Sequence, residues 1–245
     1  MKITEVKVMI ARPRMAGGER KPQEEYRNRS DWLFVKVETD EGVVGWGDCT
    51  DWEAYEGVVA MVRHLTPLVV GKDPLNSERI WFELAAYNVR QKGGLAWKAM
   101  AGIDSALWDI KGKVANAPVW QLLGGKHYDE LRLYWSHCGT FRFRAAEKLG
   151  LPPVRRTDDL RRLSEEVLAK GFTAIKTNIM PLEDLPNPGP MARARTSGYA
   201  TPNILKNVVG IVSTFREALG PDVGIAVDIA LNFKLAGAID IARAL

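Results

Sequence analysis

After Gly125, short apolar runs alternate along the chain with longer amphipathic segments. The apolar runs, Leu131–Ser136, Phe172–Thr177 and Val223–Asp228, have the length and composition of buried β-strands. Strands that alternate with helices pair in parallel through right-handed crossovers, in a doubly wound sheet or a β/α barrel. We therefore predict a parallel α/β architecture for the second half of the chain.

The amphipathic segments carry helix boundaries of their own. Thr157 is a candidate N-cap for a helix that ends at Gly171, and a second helix begins at Asn203 and stops at Gly220. A third helix is predicted over Leu235–Leu245. These helices supply the crossovers that parallel strands require.

The first half of the chain has a different pattern. Apolar and charged residues alternate over residues 5–10 and 33–38, and a turn leads into a third run at residues 43–46, which predicts an antiparallel meander. From about Glu53 to Leu123 the period is helical, with Ile103, Leu107, Ile110 and Val114 on one stripe. We predict an α+β domain over residues 1–128 and a second domain over residues 129–245.

Composition excludes several classes of protein. The 245 residues are 46% hydrophobic and 26% charged with a net charge of +4, which is typical of a folded globular protein. No apolar stretch approaches the roughly 18 residues of a membrane span, and the N-terminus lacks a signal-peptide pattern. Cys49 and Cys138 form no disulfide framework or zinc motif, and the basic residues are too scattered to indicate nucleic-acid binding. We predict a cytoplasmic protein with no membrane or nucleic-acid partner.

Two charged residues stand at predicted strand ends. Lys176 closes the apolar run that begins at Phe172, and Asp228 closes the run that begins at Val223. Ligands of parallel α/β folds bind at the carboxyl ends of the strands, and a charge there needs a partner, solvent or a metal. Each of these two residues either takes part in a functional site or is simply a solvated residue at the end of its strand.

One long motif is specific to a known family. The segment Gly102–Lys113 (GIDSALWDIKGK), followed by Pro118–Gly125 (PVWQLLGG), resembles the signature of the mandelate racemase/muconate lactonizing enzyme branch of the enolase superfamily. Gly45–Trp46–Gly47 matches another family segment. Within the signature, Asp104 and Asp109 are expected to have structural roles. The resemblance implies an α+β capping domain followed by a modified TIM-type β/α barrel, of which this chain holds the first three βα units.

The resemblance also implies a chemistry. Members hold Mg²⁺ on three carboxylates from successive strands, and the metal stabilises the enediolate formed when the proton next to a substrate carboxylate is removed. Asp228 matches the first of these metal ligands. Lys176 matches the first lysine of the family's K-x-K motif, which neighbours the substrate carboxylate, so it is the candidate catalytic residue.

Asn178 departs from that motif. An amide cannot accept a proton at neutral pH, so Asn178 replaces the second lysine without its function as a base. The sequence K-x-N resembles the sugar-acid dehydratases of the superfamily, in which Asn hydrogen-bonds the substrate and a histidine is the base. Ala230 stands where those enzymes can carry His, and Asn232 either contacts substrate or is a loop amide.

Further candidates line the implied substrate pocket. Arg14 and Tyr26 lie in a polar stretch, residues 14–30, where the family has its specificity loop, and a charged loop suits a polyhydroxylated acid. Trp52, Tyr55 and His137 are either pocket lining or packing residues. Trp46 and Trp108 are predicted to be core residues.

Three strands do not close a barrel. A β/α barrel needs about eight strands in roughly 250 residues, so five strands, the remaining metal carboxylates and the catalytic base are expected beyond Leu245. We therefore expect a truncated chain with little or no activity of its own, and a homo-oligomer in the full-length form. The alternatives to a dehydratase are a racemase or cycloisomerase of the same branch, and a non-enzymatic interaction module. A nucleotide-binding fold lacks support because no GxGxxG or GxxxxGK[ST] motif is present.

Overall fold

The computed structural model describes residues 1–11, 31–51, 54–190, 197–230 and 232–245. They form two compact units, Met1–Asp129 and Glu130–Leu245. The candidate pocket residues Arg14, Tyr26 and Trp52 lie outside the described residues. Each unit is built around its own sheet.

The first unit contains the predicted antiparallel meander. Its strands are β1 (Ile3–Ala11), β2 (Trp32–Thr39) and β3 (Val44–Asp48), in the order β1-β2-β3. Alternate residues of β2 face the core, and its core residues Leu33, Val35 and Val37 are fully buried. The period-2 pattern of the sequence is thus the pattern of burial.

Helices cover one face of this sheet. They are α1 (Tyr55–Leu65), a 3₁₀ turn (Thr66–Leu68), α2 (Ser77–Tyr87), α3 (Gly94–Ala115) and α4 (Val119–Leu122). Helix α3 contains most of the family-like motif, and its Ile103, Leu107 and Ile110 are fully buried, as predicted. Val114 is 46% exposed, so its assignment to the buried stripe is wrong. It lies in the last turn, just before Asn116 ends the helix in a left-handed conformation.

The predicted burial of Trp46 is also wrong. Its neighbours Gly45 and Gly47 face α3, where a Cβ on Gly47 would lie 2.0 Å from the carbonyl oxygen of Gly102. Because successive strand residues point to opposite faces, Trp46 lies on the other face and is 42% exposed. Asp109 ties the two elements together, since its Oδ2 accepts hydrogen bonds from Trp46 N at 2.9 Å and Lys113 Nζ at 2.7 Å. This is a structural role, as expected.

The second unit alternates helices and parallel strands. Its elements are α5 (Thr140–Leu149), α6 (Thr157–Ala169), β4 (Ala174–Asn178), α7 (Pro202–Leu219), β5 (Gly224–Asp228) and α8 (Leu235–Ala244). Strands β4 and β5 pair in parallel, with Ile175 opposite Ile225 and Asn178 opposite Asp228. Helices α6 and α7 pack together through apolar residues, among them Leu160, Leu163, Ile211 and Phe215.

The strand predicted over Leu131–Ser136 is not formed as such. Only Trp135 makes a parallel bridge, to Ile175, through hydrogen bonds from Trp135 N to Ala174 O at 3.0 Å and from Lys176 N to Trp135 O at 2.8 Å. Leu131 and Leu133 are 76% and 71% exposed, so burial does not hold this segment against the sheet. The first barrel strand is therefore reduced to one residue.

The N-terminus of α6 lies one residue earlier than predicted. Thr157 is the first helical residue, and its hydroxyl donates a hydrogen bond to Asp184 Oδ2 instead of capping the helix. Asp159 Oδ2 accepts hydrogen bonds from the backbone N–H groups of Arg155 and Arg156. A carboxylate in the first turn satisfies these amide groups and interacts favourably with the helix dipole.

Replacing Glu166 with Gln should reduce stability at neutral pH and not at acid pH. Lys170, and then Arg142, hold the pKa of this α6 carboxyl below its usual range against the opposing effect of burial. A carboxyl group whose pKa is lowered by folding stabilises the fold at pH values above its unfolded-state pKa of about 4.3. This stabilisation is lost as the pH falls through the folded-state pKa. Urea unfolding should show a loss of about 1 kcal/mol or less at pH 7. The exposed neighbour Glu165→Gln is the control, and an equal loss at pH 3 would contradict the explanation.

Candidate active site at the carboxyl ends of the parallel strands

Three predicted site residues meet at one edge of the parallel sheet. Lys176 and Asn178 belong to the last three residues of β4, and Asp228 is the last residue of β5. Since the strands are parallel and Asn178 lies opposite Asp228, their carboxyl ends are at the same edge. The apolar residues of the strands fix this register by packing against α6 and α7.

Lys176 and Asp228 form an ion pair. Lys176 Nζ lies 3.4 Å from Asp228 Oδ2, and both side chains are partly buried, with 24% and 33% of their areas exposed. The ammonium group also lies 5.6 Å from the centre of the Tyr134 ring, a favourable cation–π distance. A cation and a carboxylate are therefore held side by side where a ligand can reach both.

The environment keeps Asp228 ionised. Its pKa is held below the usual range, first by the hydrogen bond that Ala230 N donates to Oδ1 at 2.8 Å, and then by Lys176 and the more distant His137, against a raising effect of burial. Ala230 and His137 have φ values of +49° and +52°, which non-glycine residues rarely adopt. Such backbone conformations are often found at functional sites.

Asn178 links the strand ends. Its Nδ2 donates a hydrogen bond to the backbone oxygen of Asp228 at 2.9 Å, and its Oδ1 accepts one from Thr140 Oγ1 at 2.8 Å. Thr140 was not predicted as a site residue from the sequence. Its sequence signal is its position shortly after the apolar run Leu131–Ser136, as the first residue of α5, a helix that was also not predicted.

His137 lies in the turn between Trp135 and α5. Its Nδ1 is 2.9 Å from Ser136 Oγ, and its ring stacks on Phe141 with centroids 4.9 Å apart. It contributes electrostatically to the lowered pKa of Asp228, so it belongs to the surroundings of the cluster formed by Lys176, Asn178 and Asp228. The predicted role of His137 in substrate binding stays a prediction.

Asn232 follows β5 and holds its own loop. Its Nδ2 donates a hydrogen bond to Ile229 O at 2.9 Å, a contact that agrees with the loop-amide alternative. Its role in substrate binding stays a prediction, as do those of Arg14 and Tyr26, which lie outside the described residues.

The side chains of this cluster can supply one ligand to a hard cation. Asp228 offers carboxylate oxygens, which Mg²⁺ prefers, but in the described ranges no three His, Cys, Asp or Glu side chains are grouped to hold a metal. Lys176 and Asn178 Nδ2 supply hydrogen-bond donors. These residues alone therefore do not fit a complete Mg²⁺ site.

Comparison with known proteins identifies the family. Residues 5–124 match the model of the mandelate racemase/muconate lactonizing enzyme N-terminal domain. This range covers the meander, the helices and the glycine-rich turn after α4. Residues 5–124 therefore form an N-terminal domain of this branch of the enolase superfamily, as the sequence motif predicts.

Solved structures match nearly the whole chain. A protein of Burkholderia xenovorans LB400, provisionally assigned as an L-alanine-DL-glutamate epimerase and bound to magnesium and fumarate, is 33% identical with a TM-score of 0.81, over 100% of this chain and 58% of that one. A provisionally assigned dehydratase of Salmonella enterica serovar Typhimurium is 30% identical, with a TM-score of 0.79, over 99% and 59%. Another, of Zymomonas mobilis ZM4, is 28% identical, with a TM-score of 0.74, over 99% and 58%.

The chain thus spans about three-fifths of the length of these structures. The matches support the fold of both units, including the partial barrel. Among the described residues, no helix combines the length and apolarity needed to cross a membrane.

Proposed function

We propose that this chain is part of an enzyme that removes the proton next to the carboxylate of a sugar acid and expels the β-hydroxyl. The observation that carries the proposal is the meeting of Lys176, Asn178 and Asp228 at the carboxyl ends of adjacent parallel strands in a member of this family. Position at that edge and a lowered carboxyl pKa are both typical of catalytic residues.

Lys176 would orient and polarise the substrate carboxylate. As the α-proton leaves, negative charge moves onto the carboxylate oxygens, and an ammonium group placed there in advance stabilises that charge. The ion pair with Asp228 fixes the position of Nζ before substrate binds. Asn178 would hydrogen-bond a substrate oxygen.

Asp228 would be one of the ligands of Mg²⁺. When bound, the ion would supply positive charge at the substrate carboxylate. We propose that further segments supply the other oxygen ligands and the base, because among the described residues Asp228 is the cluster's single carboxylate and Asn178 cannot accept a proton. We accordingly expect little or no activity from the 245-residue chain alone, and propose a cytoplasmic homo-oligomer for the complete protein.

The bond changes of dehydration balance without an oxidant or reductant. The electrons of the α C–H bond form a C=C bond, the β C–O bond breaks, and the hydroxyl leaves as water after protonation. The resulting enol takes up a proton at the β-carbon and becomes a 2-keto-3-deoxy acid. In D₂O, one deuterium is therefore expected at that carbon.

Product analysis tests this proposal. The protein purified from its source, with its native termini, should convert at least one member of a sugar-acid panel into a 2-keto-3-deoxy acid in the presence of Mg²⁺. ¹H NMR and mass spectrometry in D₂O would show the product and its single deuterium. Epimerised or lactonised products without any 2-keto-3-deoxy acid would reject dehydration.

A racemase or epimerase is the second candidate. It is favoured by the 33% identical Burkholderia structure, which is provisionally assigned as an epimerase. Epimerisation needs no leaving group at the β-carbon. Exchange of the α-proton for deuterium in an acid that lacks a β-hydroxyl would therefore support this alternative.

A further inference from the structure

We propose that Thr140 is a positioning residue of this site, which acts through Asn178 on the main chain of Asp228. The proposal rests on the proposed function and extends it to the recognition of substrate. The hydroxyl of Thr140 donates to Asn178 Oδ1 at 2.8 Å, and Asn178 Nδ2 donates to Asp228 O at 2.9 Å. Two hydrogen bonds thus connect the start of α5, the end of β4 and the end of β5.

The chemistry of these groups fixes the direction of both hydrogen bonds. The backbone carbonyl of Asp228 can only accept, so the amide of Asn178 must turn Nδ2 towards it. Its Oδ1 then faces Thr140, and the hydroxyl must donate. If the amide were flipped, Asn178 Oδ1 would lie about 2.9 Å from the backbone oxygen of Asp228, and both atoms are hydrogen-bond acceptors.

Burial makes the hydroxyl of Thr140 difficult to replace. Thr140 is 1% exposed, so bulk water cannot take over its contact with Asn178. Its own position is fixed by the turn before α5, where Thr140 N donates to His137 O at 3.0 Å. A neighbouring buried contact, from Thr177 Oγ1 to Cys138 O at 2.8 Å, holds the same turn against β4.

The orientation of the amide determines what Asn178 offers to a ligand. Its Nδ2 carries a second hydrogen, which none of the contacts found among the described residues uses. With Thr140 in place, Asn178 therefore presents an N–H group, which recognises an oxygen acceptor such as the hydroxyl or carboxylate oxygen of a hydroxy acid. A substrate group that can only donate, such as an ammonium, would not be bound by that hydrogen.

The side-chain amide signals of Asn178 report on this arrangement directly. In ¹H–¹⁵N spectra of the 245-residue chain, they are assigned by their absence in Asn178→Asp. Thr140→Val, which keeps the shape and removes the hydroxyl, should shift them, and Thr140→Ser should largely restore them. Thr214→Val is the matched control, because the buried Thr214 hydroxyl donates within its own helix to Gly210 O at 2.8 Å.

The spectra decide the proposal independently of catalysis. If Thr140→Val moves the Asn178 signals no more than Thr214→Val does, the proposal is wrong. If Thr140→Val does not fold, Thr140→Ser and Thr140→Ala are compared, and equal Asn178 signals in these two variants would overturn it. Absence of turnover in the wild-type protein would reject the proposed function and leave the spectroscopic result valid.

Kinetics of the source protein supply the second readout. Thr140→Val should lower kcat/KM about tenfold or more and raise KM for the acid, because a donor displaced by a fraction of an ångström binds less well. Thr140→Ser should retain most of the activity. A variant that was merely less folded would lose kcat with KM unchanged, and that result would contradict positioning.

Discussion

Asp228→Asn is expected to reduce kcat/KM of the source protein at least about 1000-fold in the presence of Mg²⁺. The substitution keeps the shape of the side chain and removes the charge beside Lys176 Nζ, 3.4 Å away. If Asp228 is a ligand of Mg²⁺, as proposed, metal binding and charge stabilisation in the transition state would both depend on that carboxylate. The amide oxygen can still accept the hydrogen bond from Ala230 N, so the loop after β5 should keep its conformation.

Asp240→Asn is the control for this experiment. Asp240 is an exposed carboxylate of α8 in the same unit, and its loss removes an equal charge without touching the cluster. Steady-state kinetics and thermal unfolding of both variants separate catalysis from stability. Asp228→Asn activity close to that of Asp240→Asn would exclude Asp228 from the site.

Gly47→Ala is expected to lower the free energy of unfolding of the first unit by about 3 kcal/mol or more. A Cβ at this position would lie 2.0 Å from Gly102 O and 2.8 Å from Ala106 N, both backbone atoms of α3. Backbone cannot move aside as a flexible side chain can. Strand β3 and helix α3 would have to separate, which would loosen the packing around Val35 and Ile103.

The matched control is Gly224→Ala. Gly224 also lies in a strand, and a Cβ there would meet Ala174 Cβ at 3.4 Å, an ordinary contact. Its effect should stay within about 0.5 kcal/mol, because strand propensity alone spans about 1 kcal/mol. Urea unfolding followed by tryptophan fluorescence measures both. Equal losses for the two variants would refute the close approach of β3 and α3.

The N-terminal fold was largely predictable because burial there follows local periodicity. Alternation in β2 and the helical stripe of α3 correspond directly to the buried residues. Trp46 was assigned to the core because residue type was given more weight than direction. Val114 was assigned by its helical period, but it lies in the last turn of α3 and is exposed. The glycines beside Trp46 were the signal, since they mark the face of β3 that approaches another backbone.

The second unit was predictable in its strand order and less so at its edge. Strands β4 and β5 are held by apolar packing that the sequence displays as continuous runs. The run Leu131–Ser136 has the same composition, but its leucines stay exposed and only Trp135 reaches the ladder. Composition cannot distinguish such an edge segment from a central strand, because pairing depends on what lies on both sides.

The cluster itself was partly visible in the sequence. Lys176 and Asp228 stand out as charges that end apolar runs, and parallel topology places such ends together. Thr140 and the N–H of Ala230 could not be found in this way. Their contacts are set by the loop conformations that follow the strands, which depend on tertiary structure and leave no periodic signal.

The most direct test of the account is a crystal structure of the source protein soaked with Mn²⁺, an ion that can occupy the proposed Mg²⁺ position and be located by its anomalous scattering. We expect an anomalous peak within about 2.0–2.3 Å of an Asp228 carboxylate oxygen. A metal bound elsewhere, with Asp228 still paired only to Lys176 and Ala230, would contradict it.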